Sequence, residues 1–134
     1  MQYLPLVGRI LYALIFILSG VGHFAALEAT SQYAGSAGVP MPEVAAIVSG
    51  IMILLGGLSI ALGYKVKWGA ILLVAFLIPA AFMMHNFWSI DDPMMAQTQM
   101  AMFMKNIALA GAALFMMYFG SGPFSLEKDE GLEK

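Results

Sequence analysis

An ionisable side chain inside a long apolar run is costly to keep in hydrocarbon, so it is retained where it pairs, binds or relays a proton. Four such groups stand in this chain: Arg9, His23, His85 and Lys105. Lysine offers N–H donors only, while a neutral imidazole offers one donor and one acceptor. Glu28, Asn86, Trp88, Asp91, Asp92, Gln99 and Asn106 stand near them in the sequence, so each cation has a candidate partner. Lys105 is expected either to stretch to the interface and pair with Asp91 or Asp92, or to contact a ligand. His85 is expected either to bond Asn106 or a loop carboxylate, or to serve a ligand. Arg9 and His23 return to within about 40° of one helix face, and Arg9 reads as an anchor near lipid headgroups.

The elements that must position these groups follow from hydropathy. The 134 residues are 61% hydrophobic and only 10% charged, with a mean hydropathy of +0.86. A soluble domain carries about 25% charged residues, so a soluble fold is excluded. A bilayer core of about 30 Å needs about 20 apolar helical residues, and four stretches qualify, roughly 4–27, 44–64, 68–87 and 100–119. Trp68 and Trp88 would stand about 30 Å apart on a helix, one in each interfacial belt. The first stretch is longer than a signal-peptide core and is read as a retained helix. The expected fold is therefore all-α, an integral membrane four-helix bundle over residues 1–120, with 121–134 as an acidic, solvated cytoplasmic tail.

Arg9, Lys65, Lys67, Lys128 and Lys134 fall on one side of this arrangement, and the two opposite loops hold no basic residue. Both termini are therefore expected in the cytoplasm, in a multi-pass protein of the cytoplasmic (inner) membrane. His23, His85 and Lys105 then converge on the outer leaflet, under a loop expected to form a short interfacial turn or helix. Ala45, Ser49, Gly57 and Ala61 form a small-residue stripe that makes the second span central. Pro79 is tolerated in the third span because neighbours can satisfy the carbonyl it frees near Ala75.

Several chemistries are excluded or weakened. With 6 Lys+Arg and a net charge of −2, the chain has no basic surface for nucleic acid. The absence of cysteine removes thiolate nucleophiles, iron–sulfur clusters and Cys-ligated zinc. Two histidines near the aqueous edge are too little to argue for haem, and the 12 methionines are more economically apolar filler than a copper site. No metal site is expected, and no cofactor is evident beyond a quinone. The first, second and fourth spans lack the central carboxylate that a proton-coupled antiporter needs.

Several segments, in order and over nearly the whole chain, resemble the DoxX family of small membrane proteins. They are Gly8-Arg-Ile-Leu-Tyr-Ala-Leu-Ile-Phe, Ser19-Gly-Val-Gly-His23, Gly38-Val-Pro, Gly56-Gly-Leu, His85-Asn-Phe-Trp88, Phe103-Met-Lys-Asn106 and Gly120-Ser-Gly-Pro-Phe-Ser-Leu126. Many members carry an acidic residue about one turn before the Gly-Gly pair, where this chain has Ile53. Some relatives are subunits of a thiosulfate:quinone oxidoreductase, and others accompany membrane oxidoreductase complexes that defend against oxidative stress. The resemblance implies Arg9, His23, His85, Trp88, Lys105 and Asn106 as the polar set.

Three functions fit these readings. The first is an accessory or quinone-contacting subunit of a membrane oxidoreductase system, more a non-catalytic subunit than a free-standing enzyme. The second is a binding protein for a lipid or other hydrophobic small molecule, and the third a scaffold whose polar cluster only fixes helix register. In the first two, His23, His85, Trp88, Lys105 and Asn106 would bind the ligand while Arg9, Glu28, Asp91 and Asp92 are structural. Trp88, Phe87 and Phe103 would wall a quinone slot, and Pro79 and the methionines would let helices part around its tail. Expected partners are the lipid bilayer, membrane or soluble oxidoreductase subunits, and further copies of the chain. A scaffold would have a saturated cluster with no cavity beside it.

Overall fold

The computed structural model describes residues 1–127. Its four long helices are α1 (Leu4–Ala25), α3 (Pro42–Leu62), α4 (Val66–Met84) and α5 (Pro93–Phe119), with a short α2 (Leu27–Ser36) between the first two. A 3₁₀ turn at Phe87–Ser89 follows α4. The four long helices are each apolar and long enough to cross a membrane. The first three spans lie close to their expected limits. The fourth begins about two turns early, because Asp92 caps α5 by accepting from the Met95 amide at 3.0 Å and Pro93 sits in its first turn.

The chain runs as an up-and-down bundle. α1 packs on α3, α3 on α4 and α4 on α5, and α2 lies mainly against α3. The second span is thus central, and its close approaches come from Gly57 of the expected stripe and from Gly56 beside it. A Cβ on Gly57 would lie 3.0 Å from the Phe16 Cβ of α1, and one on Gly56 would lie 2.6 Å from Leu73 of α4. The α3–α4 hairpin turns at Gly63, whose φ of 65° is costly for any residue with a Cβ. A single apolar core, including Phe16, Ile53, Ile60, Leu73, Leu77 and Ala113, fills the interior. Large apolar side chains such as Leu11, Leu18, Leu55, Ile71 and Phe115 point outward, as lipid-facing helices require.

One end of the bundle gathers the start of α1, the α3–α4 hairpin and the segment after α5; it is called here the terminal end, and the opposite one the α2 end. The reading of 121–134 as a solvated tail is corrected for its first part. Leu126 and Glu127 donate their amides to the carbonyls of Leu62 (3.1 Å) and Gly63 (3.0 Å), and the Glu127 carboxylate accepts from the Lys65 amide at 2.7 Å. Helix α3 leaves its last carbonyls without intrahelical donors, and this segment supplies them. Residues 128–134 lie outside the described residues.

Arg9 is corrected with it. It is 4% exposed, and its guanidinium donates to the carbonyls of Ser121 (2.7 Å) and Phe124 (2.8 Å) and to the Ser125 hydroxyl. A planar fork of donors suits several carbonyls at once, so Arg9 fastens 121–127 to the bundle and does not reach for headgroups. Tyr3 stacks on Phe124 at 4.8 Å over the same segment.

Candidate functional site

Toward the α2 end the helices border a half-open cavity of about 430 Å³. This is within the size range of small-molecule sites, which are mostly apolar with a few polar groups that fix orientation. Ile15, Phe16, Met52, Ile53, Phe76 and Leu77 form much of its apolar wall, and all five α-helices contribute. α2 borders it through Thr30, Tyr33 and Ala34. Among the described residues α1 and α5 lack the close helix–helix packing that joins the other neighbours. Both still line the cavity, α1 with Ser19 and His23, α5 with Lys105, Asn106 and Leu109. The seam between them is crossed by the Tyr12 hydroxyl, which donates to the Leu109 carbonyl at 2.7 Å.

Four of the expected binding residues, His23, His85, Lys105 and Asn106, meet at this cavity. His23 sits on the last turn of α1, with Nδ1 2.7 Å from the Ser19 carbonyl one turn earlier. His85 ends α4, with Nδ1 2.7 Å from Oε1 of Gln99 on α5. Its partner is therefore neither Asn106 nor a loop carboxylate. Asn106 is 5% exposed, and its side chain makes no hydrogen bond among the described residues. Its amide atoms are not among the fully buried unpartnered ones, and Asn106 lines the cavity that could hold a partner for them.

Lys105 does not pair with Asp91 or Asp92. The early start of α5 puts Lys105 about 18 Å along the axis from the helix start, beyond the reach of its side chain. Its ammonium instead lies 3.8 Å from the Met102 sulfur, and it stays exposed. No ion pair reaches it among the described residues. Asp92 is occupied as the α5 cap, exposed Asp91 is outside the cavity, and Glu28 accepts from Gln32 at 3.3 Å on the surface of α2.

Trp88, Phe87 and Phe103, expected as cavity walls, lie outside it. Trp88 and Phe103 are 5.7 Å apart, Phe87 and Phe103 5.5 Å, and Phe82 and Phe103 5.2 Å. These rings satisfy one another edge to face, and Trp88 stays half exposed on the bundle surface. The sequence reading missed Ser19, Thr30, Tyr33 and Ser49 as lining residues. The one signal for them was spacing: Ser19 stands one turn before His23, and so shares its face. Pro79 lines the cavity together with Ala75, the residue whose carbonyl it leaves without a helical donor.

Four apolar spans around a cavity with a small polar set define a multi-pass membrane helix bundle. The DoxX family model matches residues 4–86, which hold α1 to α4 and both histidines but end before Lys105 and Asn106. The chain belongs to the DoxX family. It is similar to the inner membrane protein YphA of Escherichia coli (strain K12), 33% identical over 125 residues, which are 93% of this chain and 89% of that one. It is also similar to the inner membrane protein YqjF of the same organism, 30% identical over 126 residues, 92% of this chain and 88% of that one. No solved structure matches the chain.

Proposed function

We propose that the chain is a membrane-embedded binding subunit whose cavity takes the head group of a quinone, and that it serves a membrane oxidoreductase system without catalysing a reaction alone. The observation that carries this reading is Asn106, buried to 5% exposure, without a partner among the described residues and lining an otherwise apolar cavity. A scaffold would have closed its polar cluster on itself. Lys105, an exposed ammonium on the cavity wall, adds a charged donor for a ring oxygen. The apolar wall from Met52, Phe76, Pro79 and Met83 suits the ring and the start of an isoprenoid tail.

The loosely packed seam between α1 and α5 supports access from the lipid side. The proposed location is the cytoplasmic membrane, with both termini on the cytoplasmic side. It is supported by the printed names of the two relatives and by exposed Lys65 and Lys67, which stand at the terminal end.

The test is saturable binding of a decyl-substituted benzoquinone to the purified protein in nanodiscs, comparing the parent with Asn106→Ala, His85→Ala and Lys105→Ala. The expected result is saturation in the parent and at least tenfold weaker binding in Asn106→Ala. Equal affinity in all four proteins, or saturable binding in none, removes the reading and leaves the scaffold.

A further inference from the structure

Two polar groups of the cavity, the imidazoles of His23 and His85, have their Nδ1 already engaged. The Ser19 carbonyl can only accept, so the Nδ1 of His23, 2.7 Å away, must carry the hydrogen. The neutral ring then presents Nε2 as a lone pair. His85 is in the same position, with Nδ1 2.7 Å from the Gln99 Oε1. Two of the four lining hydroxyls follow the same pattern. Thr30 donates to the Ala26 carbonyl at 2.9 Å and Ser49 to the Ala46 carbonyl at 3.2 Å, so each has only lone pairs left. Pro79 removes the helical donor of the Ala75 carbonyl, and both residues line the same wall. Donors toward a ligand are the Lys105 ammonium, the Asn106 amide and the hydroxyls of Ser19 and Tyr33, which also line the cavity.

We infer that the cavity selects a ligand that donates hydrogen bonds, the reduced hydroquinone in preference to the quinone, with His23 and His85 as the acceptors that distinguish them. This rests on the quinone reading above. A quinone has acceptor oxygens only, and against His23 and His85 it would bring lone pair to lone pair. A hydroquinone has two O–H groups for the imidazoles and keeps oxygen lone pairs for Lys105 and Asn106. A site built around a ligand hydroxyl discriminates strongly against the analogue that lacks it, because the site's own groups are then left unpaired.

The experiment measures binding of three ligands with one ring and one decyl tail to the full chain in nanodiscs under anaerobic conditions: the benzoquinone, its hydroquinone and the hydroquinone dimethyl ether. The hydroquinone should bind at least about tenfold tighter than the other two, which raises the reduction potential of the bound couple by about 30 mV for a two-electron couple. In His85→Phe the hydroquinone should lose its advantage while the dimethyl ether is unaffected. The Ser49→Ala variant keeps the comparison open should His85→Phe fail to fold, and it should narrow the same preference. Equal affinity for hydroquinone and dimethyl ether overturns this inference and leaves the quinone reading standing. Saturable binding of none of the three overturns both.

Discussion

Tyr12 and Leu109 join two helices that lack the close packing of the other neighbours: the Tyr12 hydroxyl donates to the Leu109 carbonyl at 2.7 Å across the α1–α5 seam. Leu109 also lines the cavity, so this one hydrogen bond sits beside the place where a ligand would pass. Tyr12→Phe keeps the ring that packs 5.2 Å from Phe16 and removes only the hydroxyl. Stability should fall by about 1 kcal/mol, the usual net worth of such a bond. Dissociation of a bound decyl-benzoquinone should become faster at unchanged stoichiometry. Stopped-flow displacement checks it, and an unchanged off-rate would place the passage elsewhere.

Arg9 holds the segment after α5 through hydrogen bonds from its buried guanidinium. Arg9→Lys keeps the charge but has a single nitrogen, which cannot reach those acceptors together. Both Arg9→Lys and Arg9→Gln should lower stability by about 2 kcal/mol or more, since bonds to a charged group are the stronger ones and their partners stay buried. Hydrogen exchange at the Leu126 and Glu127 amides should accelerate in both variants. Protection equal to that of the parent would show that the backbone bonds to Leu62 and Gly63 suffice alone.

The glycines separate into two groups that mutation should distinguish. A Cβ on Gly56 meets Leu73 at 2.6 Å and the Gly69 carbonyl at 3.1 Å, while one on Gly111 meets nothing within 4 Å. Gly56→Ala should cost about 1–3 kcal/mol through forced movement of α4. Gly111→Ala should be neutral or stabilise by up to about 1 kcal/mol by removing glycine's entropy cost in a helix. Unfolding titrations in mixed micelles give both values.

Lys105 is exposed and makes no ion pair among the described residues, so it adds little that holds the helices together. Lys105→Met should leave thermal stability equal or higher, because a charge is withdrawn from an apolar span. It should also weaken binding of the decyl-benzoquinone. Loss of folding in this variant would assign the lysine to the structure instead.

Orientation is open to direct test because the chain has no cysteine. Exposed Tyr64 on the α3–α4 hairpin and exposed Ser36 at the end of α2 are suitable positions. In intact cells a membrane-impermeant maleimide should label Ser36→Cys and spare Tyr64→Cys. The opposite pattern would place the termini outside.

The spans were legible because hydropathy acts locally: each run of about 20 apolar residues declares itself without reference to any partner. Long-range polar pairing was not. Nothing near Arg9 indicates that its acceptors are at Ser121 and Phe124, and a basic residue at a span end reads equally well as a headgroup anchor. The early start of α5 had a legible signal in Asp92-Pro93, a capping residue followed by proline at the first helical position, but hydropathy alone set that boundary near Met100. From there Lys105 was wrongly brought within reach of the loop carboxylates. The convergence of His23, His85 and Lys105 followed from counting turns, whereas Trp88 was assigned to a wall although neighbouring rings are its better partners. Lining residues on α2 were out of reach because their position depends on how that helix folds back over α3.

The clamp around Arg9 also sets an order of events during synthesis. The residues it grips, 121–127, emerge from the ribosome after all four spans, so α1 must first enter the membrane with its guanidinium unmatched by these acceptors. Insertion and completion of the fold are thereby separate steps. Until the last segment arrives, the α3–α4 hairpin lacks the amides of Leu126 and Glu127 at its carbonyls. A nascent chain stalled or cut before Ser121 would carry an arginine in its first span short of these partners.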